Sequence, residues 1–261
     1  MKSRACAVAG MFYPRDPSHL EQLLEKFSKG KETGMSARGI VSPHAGYVYS
    51  GEVAATAFGA IPSSFSGTFI VIGPSHRGHR TCVSSLPWET PLGIIDPDPG
   101  FITALGIGVD EISHQDEHSL EVQMPFIKYR FPRSRIAPVM MGAQDPASAT
   151  RLGQEIVRAA GETGRDIRIV ASSDFSHYVP AATARANDLY AIGALQNLDI
   201  PEFYRRIGER GVSACGYGPI AAMCHAAYAM GARRGELLRY ATSGDITGDR
   251  EVVGYAALAV I

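Results

Sequence analysis

The stretch "GTFIVIGPSHRGH", residues 67–79, decides how the rest of the chain is read. Phe69 to Ile72 form an unbroken apolar, β-rich run. A continuous run, rather than an alternating one, marks a strand covered on both faces, as in a parallel sheet packed between helices. The run stops at Gly73 and Pro74 and then delivers His76, with His79 close behind. An imidazole at the end of a buried strand matters only if other strands end in the same way.

Several do. "ARGIVS" (37–42) is followed by His44 in "PHAGY", and "DIRIVASS" (166–173) is followed by Asp174 and His177 in "DFSHY". "SRIAPVMMG" (134–142) is a fourth run of the same kind. "LLRYATS" (237–243) and "EVVGYAALAVI" (251–261) add two more strands, the last with Gly254 inside it as a bulge position.

Helical patterns lie between the strands. "DPSHLEQLLEKFSKG" has Asp16 as N-cap, Pro17 in the first turn and Gly30 as stop. The others expected are 50–61, 118–131 with Pro125 interrupting it, 145–161 closing on Gly161, 181–198 and 218–232. Strands alternating with helices predict an α/β fold, a three-layer sandwich with a mostly parallel central mixed sheet. No linker or repeat divides the chain, so a single domain is expected over residues 1–261.

Composition narrows the function. The 261 residues are 45% hydrophobic and 20% charged, with a formal net charge of −1 and no basic or acidic block. That argues against electrostatic binding of nucleic acid or of anionic membrane. No apolar run approaches the ~20 residues of a membrane span. The start, "MKSRACAVAGMFYPRD", does not read as a signal peptide, so a cytoplasmic protein is expected. Cys6, Cys82, Cys215 and Cys224 are scattered and form no disulfide framework.

In open α/β sheets ligands collect beyond the carboxyl ends of the strands. If the strands are parallel neighbours, His44, His76, Asp174 and His177 meet there. Cys215, in "SACGYGPIAAM", precedes a helix start that favours the thiolate. Gly216 and Gly218 let its backbone approach a neighbour closely. Read blandly, Cys215 is a buried structural cysteine, as Cys6, Cys82 and Cys224 are taken to be. In "QDEHSLEVQ" (115–123), Glu117 and Glu121 share a helix face. That segment is either a solvated helix N-terminus or the carrier of a proton-handling His118 at the rim of the pocket. His79 and His114 are read as loop residues, His19 as exposed, and His225 as helix packing.

"AGMFYP", "PHAGYVYSG", "GPSHRG", "DEHSLEVQMPF", "VASSDFSHY" and "ACGYGPI" occur in the order and spacing of the Memo family, which the whole chain resembles. The resemblance implies a fold similar to class III extradiol ring-cleaving dioxygenases, which are non-haem iron(II) enzymes. It implies His44, His76 and Cys215 as metal ligands, with Asp174 and His177 lining the same pocket and His118 as the acid/base group. Iron(II) is the expected cofactor, with copper or zinc as alternatives. In archaea and bacteria the family is named with an AMMECR1-like protein and a radical-SAM protein, which the resemblance implies as partners. One departure stands out. The dioxygenases use two histidines and a carboxylate, whereas a thiolate here makes a softer, oxidisable site unless Asp174 supplies the carboxylate.

Three functions follow as expectations. The first is a metal-dependent, dioxygenase-like redox enzyme acting on a small molecule. The second is a non-catalytic metal- or peptide-binding module. The third is a metal- or Cys-dependent hydrolase pairing Cys215 with His177 or His44.

Overall fold

The structure is a computed structural model that describes residues 2–261. Helix α1 (Pro17–Ser28) leads into strand β1 (Gly39–Ser42), helix α2 (Tyr47–Phe58) and strand β2 (Thr68–Pro74). Three short strands follow, β3 (Cys82–Val83), β4 (Trp88–Thr90) and β5 (Gly93–Ile95). Four helices come next: α3 (Pro99–Leu105), α4 (Glu111–His114), α5 (His118–Glu121) and α6 (Met124–Arg130). Then come β6 (Arg135–Met141), α7 (Pro146–Thr163), β7 (Ile167–Ser172) and β8 (His177–Pro180). The chain closes through α8 (Ala181–Leu195), α9 (Ile200–Arg210), α10 (Tyr217–Ala229), β9 (Gly235–Thr242), α11 (Gly244–Thr247) and β10 (Glu251–Val260).

The main sheet has eight strands in the order β3-β6-β2-β7-β1-β10-β8, with β9 also paired to β10. The four central strands β6, β2, β7 and β1 run parallel, and β10 begins an antiparallel flank. The alternation hidden in the apolar runs appears once the two faces are separated. On β2, Ile70 and Ile72 pack into one core while Phe69 and Val71 pack into the other. All four are fully buried, and each contributes roughly 1.5–3 kcal/mol over an exposed position. One core is covered by α7 and α10 and the other by α2, which completes the three layers.

Several boundaries differ from those expected. Helix α2 starts at Tyr47 rather than Ser50, and α7 runs past Gly161 to stop at Gly164, whose φ of 63° ends it. The 118–131 segment splits into α5 and α6, with Pro125 in the first turn of the second helix. Instead of a bulge at Gly254, β10 has register shifts between Val252 and Val253 against β8 and between Ala257 and Leu258 against β9. Helix α9 was not anticipated: it buries only Ile200 and Phe203 and presents Arg205 and Arg206 to Glu202 and Glu209 along its surface. Among the described residues no helix is long and apolar enough to cross a membrane.

Candidate metal centre

Strands β2, β7 and β1 are consecutive neighbours with one direction, so their carboxyl ends open on the same crevice. His44 follows β1, His76 follows β2, and Asp174 follows β7. One ring nitrogen from each of His44, His76 and His118 lies within 4.8 Å of the other two. The His44 and His76 rings are 5.2 Å apart, and the His76 and His118 rings 4.5 Å apart. His118 arrives from α5, which closes over the end of β2. Gly73 permits that approach, since a Cβ there would stand 2.5 Å from Ser119 Oγ.

The hydrogen-bond network orients the rings. Ser172 Oγ donates its only proton to the carbonyl of Ser119 at 2.6 Å. Toward His44 Nδ1, 2.9 Å away, it can therefore only accept. His44 is thus protonated on Nδ1 and carries its lone pair on Nε2. His76 Nδ1 donates to Glu117 Oε1 at 2.9 Å, and the His76 backbone N–H donates to Glu117 Oε2 at 2.9 Å. With Nδ1 committed to Glu117, Nε2 is the ring nitrogen of His76 available to a ligand. Serine and carboxylate acceptors behind the imidazoles are the usual device for aiming metal ligands.

The electrostatics point the same way. Burial holds His44 well below the ordinary histidine pKa, with the neighbouring His118 and His76 adding to the effect. Burial and then His76 lower His118 in the same sense. Both rings are neutral near pH 7, the form that ligates metal. Burial alone would raise Glu117, but hydrogen bonds from the His76 ring and from the backbone N–H groups of Ser119 and His76 hold it well below the usual carboxylate range. Asp174 accepts the backbone N–H of His44 at 2.8 Å, and burial raises its pKa to about 6.

Cys215 lies outside the three-histidine group. Its Sγ is 3.1 Å from His44 Nε2 and accepts the backbone N–H of Asp174 at 3.1 Å. Burial, and then the charge of Asp174, push its pKa up. The glycine beside it does allow a close approach: a Cβ at Gly216 would meet the carbonyl of Ser172 at 2.3 Å. His177 Nδ1 donates to the carbonyl of Ser213 at 2.9 Å, and its backbone N–H donates to Ser213 Oγ at 2.8 Å. Asp174 and His177 line a cavity of about 490 Å³ together with the three histidines, Phe12 and Tyr49.

Sequence reasoning placed His44, His76, Asp174 and His177 at one strand edge and the resemblance added Cys215; the structure brings the first four to one cavity and Cys215 against His44. His118, expected to handle protons, sits among the donor nitrogens. Of the two readings of its segment, a solvated helix start or the pocket rim, the burial of Glu117 favours the second: it is 2% exposed and caps α5. Glu121 is also buried, with Arg4, Tyr13 and the backbone N–H groups of Ala7 and Val8 around it. Ser172 was missed because nothing local distinguishes it from a strand-terminal serine.

A family model described as "Memo-like protein" matches residues 4–259. A MEMO1 family protein of Methanosarcina barkeri is 45% identical over 98% of this chain and 99% of its own length. Another, from Methanococcoides burtonii, is 45% identical over 98% and 99%. A third, from Methanothermobacter thermautotrophicus, is 42% identical over 98% and 99%.

Proposed function

The chain belongs to the Memo-like protein family, and on that premise we propose that it is a metal-dependent redox enzyme acting on a small molecule, with iron(II) held by His44, His76 and His118. The observation that carries this reading is the group of three histidine nitrogens within 4.8 Å, two of them aimed by Ser172 and Glu117. A neutral, imidazole-rich donor set fits iron, copper or zinc. Cys215 is the alternative third donor, because its Sγ touches the nitrogen of His44 that would ligate.

Iron or copper held there would supply Lewis acidity and one-electron redox capacity to the substrate, whereas zinc would supply Lewis acidity alone. The chain's own residues do the rest. Phe12, whose ring is 4.9 Å from that of His118, and Tyr49 and Tyr178 wall the cavity and favour a flat, aromatic substrate. His177 lines this space and supplies an imidazole for proton transfer. Glu117, ionised and shielded from water, keeps His76 in a single orientation. Asp174 fixes the backbone at His44.

Anaerobic purification with metal analysis tests the ligand set. His44→Ala and His76→Ala are expected to lose most bound metal while remaining folded. His118→Ala losing metal and Cys215→Ser retaining it supports the three-histidine set, and the reverse assigns Cys215. Repeated consumption of oxygen with an aromatic diol separates an enzyme from a stoichiometric metal carrier. The Cys215–His44 contact also favours a cysteine-dependent hydrolase as a second reading. That reading requires an electrophilic probe to label Cys215 in the metal-free protein and the Cys215→Ser variant to escape labelling.

A further inference from the structure

A second cavity of about 690 Å³ opens beside the histidine pocket. The two share Phe12 and Tyr49 as walls. They also draw on the same neighbouring segments: the start of α2 supplies Gly46 to one and Val48 to the other, and the α11 turn supplies Thr247 to one and Ile246 to the other. They are adjacent cavities with a common wall at Phe12 and Tyr49, and each falls within the size range of small-molecule sites.

The second lobe is apolar by construction. Tyr13 and Tyr47 both line it, yet the Tyr13 hydroxyl donates to Glu121 at 2.6 Å and the Tyr47 hydroxyl donates to the carbonyl of Val122 at 2.7 Å. Their polar tips are spent inside the protein, so the lobe receives ring carbon. Leu23, Phe27 and Val53 add aliphatic and aromatic surface. Among its charged members Glu52 pairs with Arg239 at 2.9 Å and Asp245 accepts the backbone N–H of Thr242 at 2.8 Å, while Lys26 also lines it. Of the nine large hydrophobic side chains that are exposed among the described residues, Met11, Val48, Tyr49 and Ile246 line this lobe and Tyr178 lines the histidine lobe. Exposed apolar surface gathered at one cleft marks a binding site rather than scattered surface residues.

We propose that the natural substrate is amphipathic: its polar, oxygen-bearing head sits among the histidines, and an extended apolar chain passes Phe12 and Tyr49 into the second lobe. The head assignment rests on the metal-centre reading, while the chain assignment rests on the second lobe alone.

A homologous series of linear alkyl hydroxamates, from acetohydroxamate to decanohydroxamate, tests both by titration calorimetry on iron(II)-loaded and metal-free protein. Affinity is expected to rise roughly three- to fourfold per methylene over part of the series and then level off as the lobe fills. Val48→Glu and Ile246→Glu, both at exposed positions, are expected to remove this increment while leaving acetohydroxamate affinity unchanged. Metal-dependent acetohydroxamate binding with no gain from chain length overturns the proposal and leaves the metal centre standing. Long members that bind equally with and without metal overturn the placement of the head among the histidines, and with it the proposal, and leave only an apolar lobe. A wild-type dimer that Val48→Glu dissociates, together with no chain-length effect, makes the lobe an interface between copies and overturns the proposal.

Discussion

Replacing Glu117 with glutamine removes one charge and changes almost nothing in shape. The carboxylate now accepts three N–H groups: Oε2 takes the His76 backbone, and Oε1 takes the His76 ring and the Ser119 backbone, each at 2.9 Å. A glutamine has only one oxygen. If that oxygen serves the two donors at the Oε1 position, its NH2 faces the backbone N–H of His76. If it turns round, two donors lose their acceptor. The side chain is 2% exposed, so water does not repair the loss. Losing one charge-assisted bond costs about 1.5–3 kcal/mol of stability. The His76 ring also loses the partner that holds its Nε2 toward His44 and His118, and metal affinity is expected to fall about 10- to 100-fold. Competition with a chromophoric chelator measures the affinity, and urea denaturation of metal-free protein measures the stability. Asp116→Asn is the control. Asp116 lies next in sequence but is exposed and pairs only with exposed Arg77, so both measurements should match wild type. Metal affinity within twofold of wild type in a folded Glu117→Gln protein would refute the claim that this carboxylate orients the centre.

Glu121→Ala is expected to destabilise the fold by about 3–5 kcal/mol in urea denaturation, because it strands buried Arg4 without its counter-charge. Tyr13→Phe, which removes one donor to the same carboxylate, should cost less, about 1–2 kcal/mol. Burial lowers the pKa of His44, His114, His118 and His225 below the ordinary histidine value of 6.5. These bases take up protons more readily when unfolded. The histidine contribution to stability of the metal-free protein should therefore be full above the unfolded value and fall as acidification proceeds through it toward the lower folded values. Asp174, raised to about 6 by burial, acts in the opposite sense over the same range, so denaturation midpoints at about pH 7.5 and about pH 5.5 are compared in an Asp174→Asn background, where equal midpoints would contradict the histidine contribution. Gly73→Ala pushes a methyl group against Ser119 and should weaken metal binding more than it disturbs the sheet. Chelator competition set beside thermal melting separates the two effects.

The fold was legible because both faces of the central strands are apolar. "FIVI" and "IRIV" cannot serve a sheet with a wet face, and that alone forces helices onto both sides. His44, His76 and Asp174 were legible for the same reason, since each directly follows such a run. Helix α9 was less so, because it is held by surface ion pairs and only two buried side chains rather than by a broad apolar stripe.

What the sequence concealed is the support behind the ligands. "DEHSLE" contains Asp116, Glu117 and Glu121, three carboxylates within six residues, and no local pattern separates them. The fold assigns one to solvent, one to the back of His76 and one to Arg4. The difference arises when α5 seats on the end of β2, a contact that depends on Gly73 more than forty residues earlier in the chain. Ser172 acquires its role in the same way: its proton goes to a carbonyl of α5, and only that bond fixes which nitrogen of His44 is free. The closure of α5 over the sheet thus does three things at once. It delivers His118, buries Glu117 and sets the tautomer of His44. A centre built this way should lose its metal when the seating of α5 is disturbed, even if every ligand is intact, and that is why Gly73→Ala tests the argument more sharply than removing another histidine.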